Sequence, residues 1–229
     1  MRFDIMTLFP QFVDGVLSES IIGRARKSGA IAVHTYNIRD YSKDKHHRVD
    51  DTPYGGGRGM LMMAPPIYDC YADIIEKSEA QASRRVIYMS PRGKVFTQEK
   101  AKELATLDQL IILCGHYEGV DSRIIEEIVD EEISIGDFVL TGGELPACIV
   151  TDAVARLVEG VLADPECHEK ESISSGLLEY PQYTRPFEFH GKCVPEVLIS
   201  GHHKNIEKWR TEAAISETLR LRPDLLEKQ

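Results

Sequence analysis

Three apolar segments that each run into glycine or proline constrain this fold more than any other feature of the sequence. They end at residues 88–91, 113–119 and 133–143. A short apolar run without polar alternation is typical of a strand that is buried on both faces of a sheet. Because helix-like segments separate these runs, the sequence predicts an α/β fold with a mostly parallel sheet. Ligands of such sheets bind outside the carboxyl ends of the strands, where these glycines and prolines lie.

Hydrophobic periodicity predicts the elements around these runs. The predicted strands cover residues 1–9, 31–38, 85–89, 110–114 and 133–140. The predicted helices cover residues 12–27, 67–82, 97 onward, 121–129, 146–159 and 203–222. Thr97 and Asp121 are the expected N-caps of their helices. The last helix is predicted to bury Ile206, Trp209, Ala213 and Leu219.

A polar stretch divides the chain. Its 229 residues suffice for a large domain and a smaller one. We expect a large α/β domain over residues 1–162, an inter-domain linker over 163–175 and a small, mainly helical domain over 176–229. The linker is rich in acids and serines, a composition that can order when a ligand binds.

Composition limits the classes of function. No apolar run approaches the ~20 residues that span a bilayer, and the amino-terminal residues show no signal-peptide pattern. The five cysteines, which are irregularly spaced, fit a reduced protein without structural zinc. We therefore expect a cytoplasmic protein that does not enter a membrane.

The charge pattern leaves two interpretations open. A net charge of −10 argues against a surface coated with nucleic-acid-binding charge. Basic residues nevertheless cluster at residues 43–48 and 202–210. Because phosphate contact acts at short range, these clusters are either solvated faces or local phosphate-binding patches.

Four long motifs carry a family resemblance. They are Asp-Asp-Thr-Pro-Tyr-Gly-Gly-Gly-Arg-Gly-Met-Leu-Met at 50–62, Cys-Gly-His-Tyr-Glu-Gly-Val-Asp at 114–121, Ser-Ile-Gly-Asp-Phe-Val-Leu-Thr-Gly-Gly-Glu-Leu-Pro at 134–146, and Gly-Leu-Leu-Glu-Tyr-Pro-Gln-Tyr-Thr-Arg-Pro at 176–186. With residues 194–198 and 200–203, they closely resemble the bacterial tRNA (guanine-N1)-methyltransferases that modify guanine 37 beside the anticodon. The resemblance covers nearly the whole chain, in order.

The resemblance implies a fold and an activity. The fold would be of the SPOUT type, with a deep trefoil knot at the carboxyl side of the sheet, so residues 1–162 would form a knotted cofactor-binding methyltransferase domain. S-adenosylmethionine would sit bent in the knot. The enzyme would be a homodimer whose sites are formed from both subunits, and the small carboxyl-terminal domain would help to hold tRNA.

The resemblance places the cofactor at the three strand exits. Glycines there let main-chain groups approach a ligand closely, although loop glycines that merely permit turns are the plainer alternative. Phe138 stands where the family usually carries tyrosine. The implied cofactor residues are Tyr88, Met89, Ser90, Pro91, Gly115, Tyr117, Glu118, Gly119, Ile135, Gly136, Asp137, Phe138, Val139, Leu140, Thr141, Gly142, Gly143 and Pro146.

Two residues are implied to be catalytic. Glu171 stands where the family carries an aspartate that removes the guanine N1 proton, with Glu169 and Asp164 as rivals. Its extra methylene requires a different backbone position, because geometry decides before pKa does. Arg156 matches an arginine that steadies negative charge on the guanine. The plainer alternatives are that Glu171 is a solvated linker acid with no role and that Arg156 forms a surface ion pair.

The RNA is expected at the glycine-rich loop and at both basic clusters. The target base must leave its stack before N1 can be reached. The implied RNA-binding residues are Arg48, Tyr54, Gly55, Gly57, Gly59, His202 and Lys204. The family is also associated with Mg²⁺ during catalysis, although no carboxylate cluster in the sequence indicates a metal site.

Three other functions compete with this one. The first is a SPOUT enzyme that acts on another RNA. The second is an RNA-binding or assembly protein that kept the cofactor cavity and lost catalysis, which the Glu171 substitution alone favours. A nicotinamide-binding domain is disfavoured, since no glycine fingerprint follows the first strand.

Overall fold

The computed structural model describes residues 1–162, 172–173 and 176–226. The chain forms two compact units, Met1–Ala163 and Asp164–Gln229. Within the described residues, no helix is both long and apolar enough to cross a membrane.

The first unit alternates strands and helices. Its strands are β1 (Arg2–Thr7), β2 (Ala32–Asn37), β3 (Asp50–Asp51), β4 (Leu61–Met62), β5 (Arg84–Val95), β6 (Gln109–Cys114) and β7 (Glu131–Ser134). Its helices are α1 (Pro10–Leu17), α2 (Ser20–Ser28), α3 (Ala64–Glu76), α4 (Gln98–Leu104), α5 (Ser122–Ile128) and α6 (Glu144–Ala155), with a 3₁₀ turn at Ile38–Tyr41.

Five of these strands form one parallel sheet in the order β2-β1-β6-β5-β7. Alternate residues enter two separate cores. Ile5, Ile87 and Ile112 pack against α1, α2, α4 and α6 on one face. Ile111 and Leu113 pack against α3 and α5 on the other face. The predicted α/β fold, with a mostly parallel sheet covered on both faces, is confirmed.

The third apolar run is a strand for only part of its predicted length. β7 ends at Ser134, six residues before the predicted end. The Ser134 hydroxyl accepts the Gly136 N–H at 3.1 Å and donates to the Gly136 carbonyl oxygen at 3.0 Å. Gly136 has φ +144°, a conformation that L side chains rarely adopt. The chain therefore turns away from the sheet, and residues 135–143 form a loop.

Other element bounds also differ from prediction. The single helix expected over 12–27 is two helices, because Ser20, the first residue of α2, takes φ +52° and breaks the helical path. The strand expected to end at Met89 continues to Val95 after a bulge, where its pairing with β7 shifts register. The predicted caps are confirmed: the side chains of Thr97 and Asp121 accept N–H groups of their own helices.

The described part of the second unit contains a short hairpin and a long helix. Its strands are β8 (Glu188–Phe189) and β9 (Lys192–Cys193), and its main helix is α7 (His203–Leu221), with 3₁₀ turns at Glu196–Ile199 and Pro223–Leu225. Apart from residues 172–173, the predicted linker lies outside the described residues.

The prediction of which α7 residues are buried is wrong near the carboxyl end of the helix. Leu219 is exposed, whereas Ala214 and Thr218 are buried. The Thr218 hydroxyl accepts the Leu178 N–H at 2.9 Å and donates to the Ala214 carbonyl at 2.7 Å, and this pairing turns that face inward. Near the other end, the Trp209 ring lies 6.3 Å from Tyr180.

Candidate functional site

A cavity of about 320 Å³ lies in the first unit, at the bulge of β5 and the carboxyl ends of β6 and β7. This volume is within the usual range for small-molecule sites. Every predicted cofactor residue lines it except Asp137. The three strand exits therefore converge on one cavity, as parallel topology requires.

The walls of the cavity bring main chain and side chain into very close contact. A Cβ atom on Gly115 would lie 2.8 Å from the Tyr88 hydroxyl oxygen, closer than real Cβ contacts. Only glycine fits at position 115. Burial, and then the nearby charge of Glu132, raises the pKa of Tyr88, so its hydroxyl stays protonated as a potential donor.

Three polar residues of the lining were not predicted, namely Arg92, His116 and Ser134. Arg92 lies within the β5 bulge, and its guanidinium donates to both Glu132 oxygens, at 2.6 and 3.3 Å. This bond lowers the pKa of Glu132. His116 also lines the cavity, between Tyr117 and Gly115. Its place inside the second motif is the only sequence signal that could have identified it.

The glycine-rich loop at residues 53–59 adjoins the cavity lining. Glu118 donates its N–H to the Met60 carbonyl at 3.0 Å, and Met62 donates to the Gly119 carbonyl at 2.9 Å. These bonds connect the segment that directly follows the loop to two residues of the cavity wall. Tyr54, at the tip of the loop, is 99% exposed. Of the predicted RNA residues in this loop, Gly59 lies against Glu118, a predicted cofactor residue: a Cβ atom on Gly59 would collide with the Glu118 side chain.

The two basic clusters have different surroundings. Arg48 is exposed but bonds to Asp44 at 3.0 Å, and this bond lowers the pKa of Asp44 to about 2. Lys43 pairs with Asp69 at 2.8 Å. In the second unit, the exposed residues His202 and Lys204 lie at the start of α7 and line a shallow depression.

Of the two predicted catalytic residues, the structure describes only Arg156. Glu171 lies outside the described residues. Arg156 follows the last residue of α6, ten positions beyond Pro146. At 1.5 Å per residue, it stands roughly 15 Å along the helix from the cavity wall. Within the described ranges, no group of three His, Cys, Asp or Glu side chains is placed to hold a metal ion.

An apolar surface lies on the first unit beside the cavity loop. We define it by Phe12 and Val16 of α1 and by Leu145 and Ile149 of α6, each 46–49% exposed. Val139 of the cavity loop is 82% exposed. Contiguous exposed apolar groups of this kind are typical of interaction sites.

Comparison with known proteins gives one consistent match. The family model described as tRNA (Guanine-1)-methyltransferase TrmD matches residues 1–228. A protein of Ruminiclostridium cellulolyticum named tRNA (guanine-N(1)-)-methyltransferase is 59% identical over 228 residues, which is 100% of this chain and 97% of that protein. Proteins with the same name from Lachnospira eligens and Clostridioides difficile are 58% and 54% identical, over 99% and 100% of this chain and 95% and 98% of their own lengths. This chain therefore belongs to the tRNA (guanine-1)-methyltransferase family.

Proposed function

We propose that this protein transfers a methyl group from S-adenosylmethionine to N1 of guanine 37 in the anticodon loop of tRNA. One observation carries the proposal beyond family membership. Three strand exits form a single cavity whose lining includes five glycines, and the residues that follow the glycine-rich loop are hydrogen-bonded to the wall of that cavity.

The cavity has features that suit a nucleoside cofactor. Its volume of about 320 Å³ accommodates a molecule of that size. Main-chain N–H and C=O groups along the loop 135–143 can pair with an adenine edge, and the apolar side chains of Ile133 and Leu140 can cover its faces. When bound, S-adenosylmethionine supplies an electrophilic methyl group on a positively charged sulfur.

The chain must also present the guanine edge and remove a proton. The guanine leaves its stack, and the glycine-rich loop beside Glu118 is the surface where it is held. As N1 gains the methyl group, its proton passes to the carboxylate of Glu171. Arg156 offsets the negative charge that develops on the guanine as this proton leaves. Alignment and fixed dipoles supply much of the rate acceleration.

The distance between Arg156 and the cavity of its own chain favours a homodimer. A guanidinium roughly 15 Å from one cavity can serve the cavity of a second copy. The apolar surface formed by α1 and α6 is the face on which we place that contact. The trefoil knot, the division into domains at residues 162 and 176, and Mg²⁺ during catalysis belong to the same proposal. A tRNA substrate also implies action in the cytoplasm.

Methyl transfer by the purified protein tests the proposal. The substrate is a tRNA transcript with guanine at positions 36 and 37, and the matched control carries adenine at 37. We expect N1-methylguanine in the first transcript and none in the second, with no product when S-adenosylmethionine is omitted. Methylation of other RNAs with no product at guanine 37 would indicate a SPOUT enzyme of different specificity. Donor binding without any transfer would indicate an RNA-binding protein that has lost catalysis.

A further inference from the structure

His116 carries a buried nitrogen without a partner. Within the part of the chain that the structure describes, its Nδ1 atom makes no hydrogen bond although it is shielded from solvent. A polar atom in this state is rare, because burial without a hydrogen bond is unfavourable. The ring itself is held in place, with its centroid 5.2 Å from that of Phe9 and 5.0 Å from that of Tyr117.

The unpartnered nitrogen points at the cavity loop. His116 and Gly142 form an isolated antiparallel bridge. A Cβ atom on Gly142 would lie 2.7 Å from His116 Nδ1 and 2.5 Å from Glu144 Oε2. Gly142 has no positive φ, so glycine is required there for space alone. Its Cα hydrogens occupy the gap between an imidazole nitrogen and a carboxylate oxygen.

Glu144 is itself held in place by a buried hydrogen bond. It is 6% exposed, and its Oε1 accepts the hydroxyl of Thr7, which is fully buried, at 2.8 Å. The Thr7 hydroxyl oxygen in turn accepts the Phe9 N–H at 2.9 Å. Phe9 packs against the His116 ring. These contacts therefore connect the end of β1, the residues after β6 and the start of α6 around Gly142.

We propose that His116 and Glu144 are positioning residues that clamp Gly142 and thereby fix the loop 137–143 that lines the cofactor cavity. The adjacent bond supports this role, since Gly143 donates its N–H to the Gly115 carbonyl at 2.8 Å. Neither residue takes part in the transfer of the methyl group. Their effect is on the affinity for the donor, because a loop held in one conformation loses less entropy when the donor binds. The inference rests on the proposed function, whose cavity it concerns.

Three substitutions at His116 distinguish the role of the Nδ1 atom from that of the packing of the ring. His116→Phe keeps an aromatic ring against Phe9 and Tyr117 but removes Nδ1. His116→Asn places an amide close to the Nδ1 position, and His116→Gln places one close to the Nε2 position. His116→Phe places a C–H group against the Gly142 Cα hydrogens, and His116→Gln leaves the Nδ1 position unfilled. We expect either misfit to raise the KM for S-adenosylmethionine about tenfold, with kcat within about threefold. His116→Asn should stay within about threefold of the wild-type KM.

Glu144→Gln and Gly142→Ala test the other side of the clamp. Both should raise the same KM, and adding His116→Ala to Gly142→Ala should recover part of the loss, since it removes one of the two colliding groups. His34→Phe is the matched control, because His34 is an exposed residue of β2. Thermal unfolding of every variant separates misfolding from a local effect on the loop.

The outcomes distinguish the clamp from the proposed function. Binding of S-adenosylhomocysteine to the wild-type protein is measured first by calorimetry, and its absence would contradict the proposed function rather than the clamp. If the wild type binds and His116→Phe matches it in KM, the clamp is wrong. The clamp is equally wrong if His116→Asn is as impaired as His116→Phe, because ring packing then explains the loss.

Discussion

The Tyr88 ring packs so closely on the backbone of Gly115 that an alanine methyl group there would lie 2.8 Å from the Tyr88 hydroxyl oxygen. Tyr88 belongs to β5 and Gly115 follows β6, so the contact joins two neighbouring strand exits. Both residues line the cavity.

Gly115→Ala should therefore impair the cavity and the fold together. We expect the free energy of unfolding to fall by about 1–3 kcal/mol, as for overpacking of a tight site, and donor affinity to fall by at least about tenfold. Calorimetry and chemical denaturation measure the two effects. Gly15→Ala is the control: no atom lies within 4 Å of its Cβ position in α1, and it should raise stability by roughly 0.5–1 kcal/mol. Wild-type donor binding by Gly115→Ala would contradict the geometry.

Glu171→Gln should abolish turnover and leave donor affinity within a few-fold of the wild type. The amide cannot accept the N1 proton, whereas the cofactor cavity is built from other residues. Glu171→Asp should keep substantial activity. Single-turnover methyl transfer measures the chemical step, and Glu179→Gln, an exposed residue of the second unit, is the matched control. Full activity of Glu171→Gln would assign the base to another carboxylate, with Glu169 and Asp164 the first to test.

Arg48→Ala should weaken tRNA binding evenly across tRNA sequences. Arg48 is exposed on the basic cluster, and a phosphate contact carries no sequence information. The slope of log affinity against log salt should fall by about 1. Filter binding at several salt concentrations measures this slope. Lys102→Ala removes the same charge from an exposed position on α4 and should leave the slope unchanged. An unchanged slope in Arg48→Ala would remove it from the RNA interface.

Glu132→Gln should reduce stability at neutral pH but not in acid. Its bond to Arg92 holds the pKa of Glu132 below the usual 4.5. A lowered folded-state pKa contributes stability above the unfolded pKa, and this contribution is lost as pH falls through the folded value. We expect a loss of up to about 1 kcal/mol at pH 7, because Arg92 is largely exposed and screened.

The stability difference between Glu132→Gln and the wild type should then shrink below pH 4.5. Urea denaturation at several pH values follows this change, and Glu127→Gln, an exposed residue of α5, is the control. A difference that persists in strong acid would show that packing, and not charge, explains the loss.

The sequence predicted the convergence of the three exits because parallel topology places all carboxyl ends at one edge of a sheet. Gly115 and Gly136 follow two of these exits, and the family resemblance assigned them to the cofactor. The end of β7 was not predictable in the same way. Phe138 and Leu140 continue the apolar pattern of the strand, but they line the cavity instead of the core. Hydrophobic periodicity does not distinguish a buried strand from a loop that binds an apolar surface.

The sequence also could not predict which residues that are distant in the chain contact each other. His116 and Gly142 form a β-bridge although a helix and a strand separate them in the sequence. The spacing of residues within one motif carries no information about such a contact. Thr7 and Glu144 are separated by 137 positions. Neither residue belongs to a recognisable catalytic pattern. Their relation exists only because β1 and β6 are neighbours in the sheet, with α6 packed against that sheet.

The aromatic cluster of the second unit makes the two parts of the chain separately observable. Trp209 is the single tryptophan of the sequence, and it lies beside Tyr180 and Tyr183. Fluorescence excited at the red edge of indole absorption therefore arises from the second unit alone. Far-ultraviolet circular dichroism, by contrast, is dominated by the helices and sheet of the first. Melting curves recorded by both signals in one sample would reveal whether the two units unfold together, and whether tRNA stabilises one before the other.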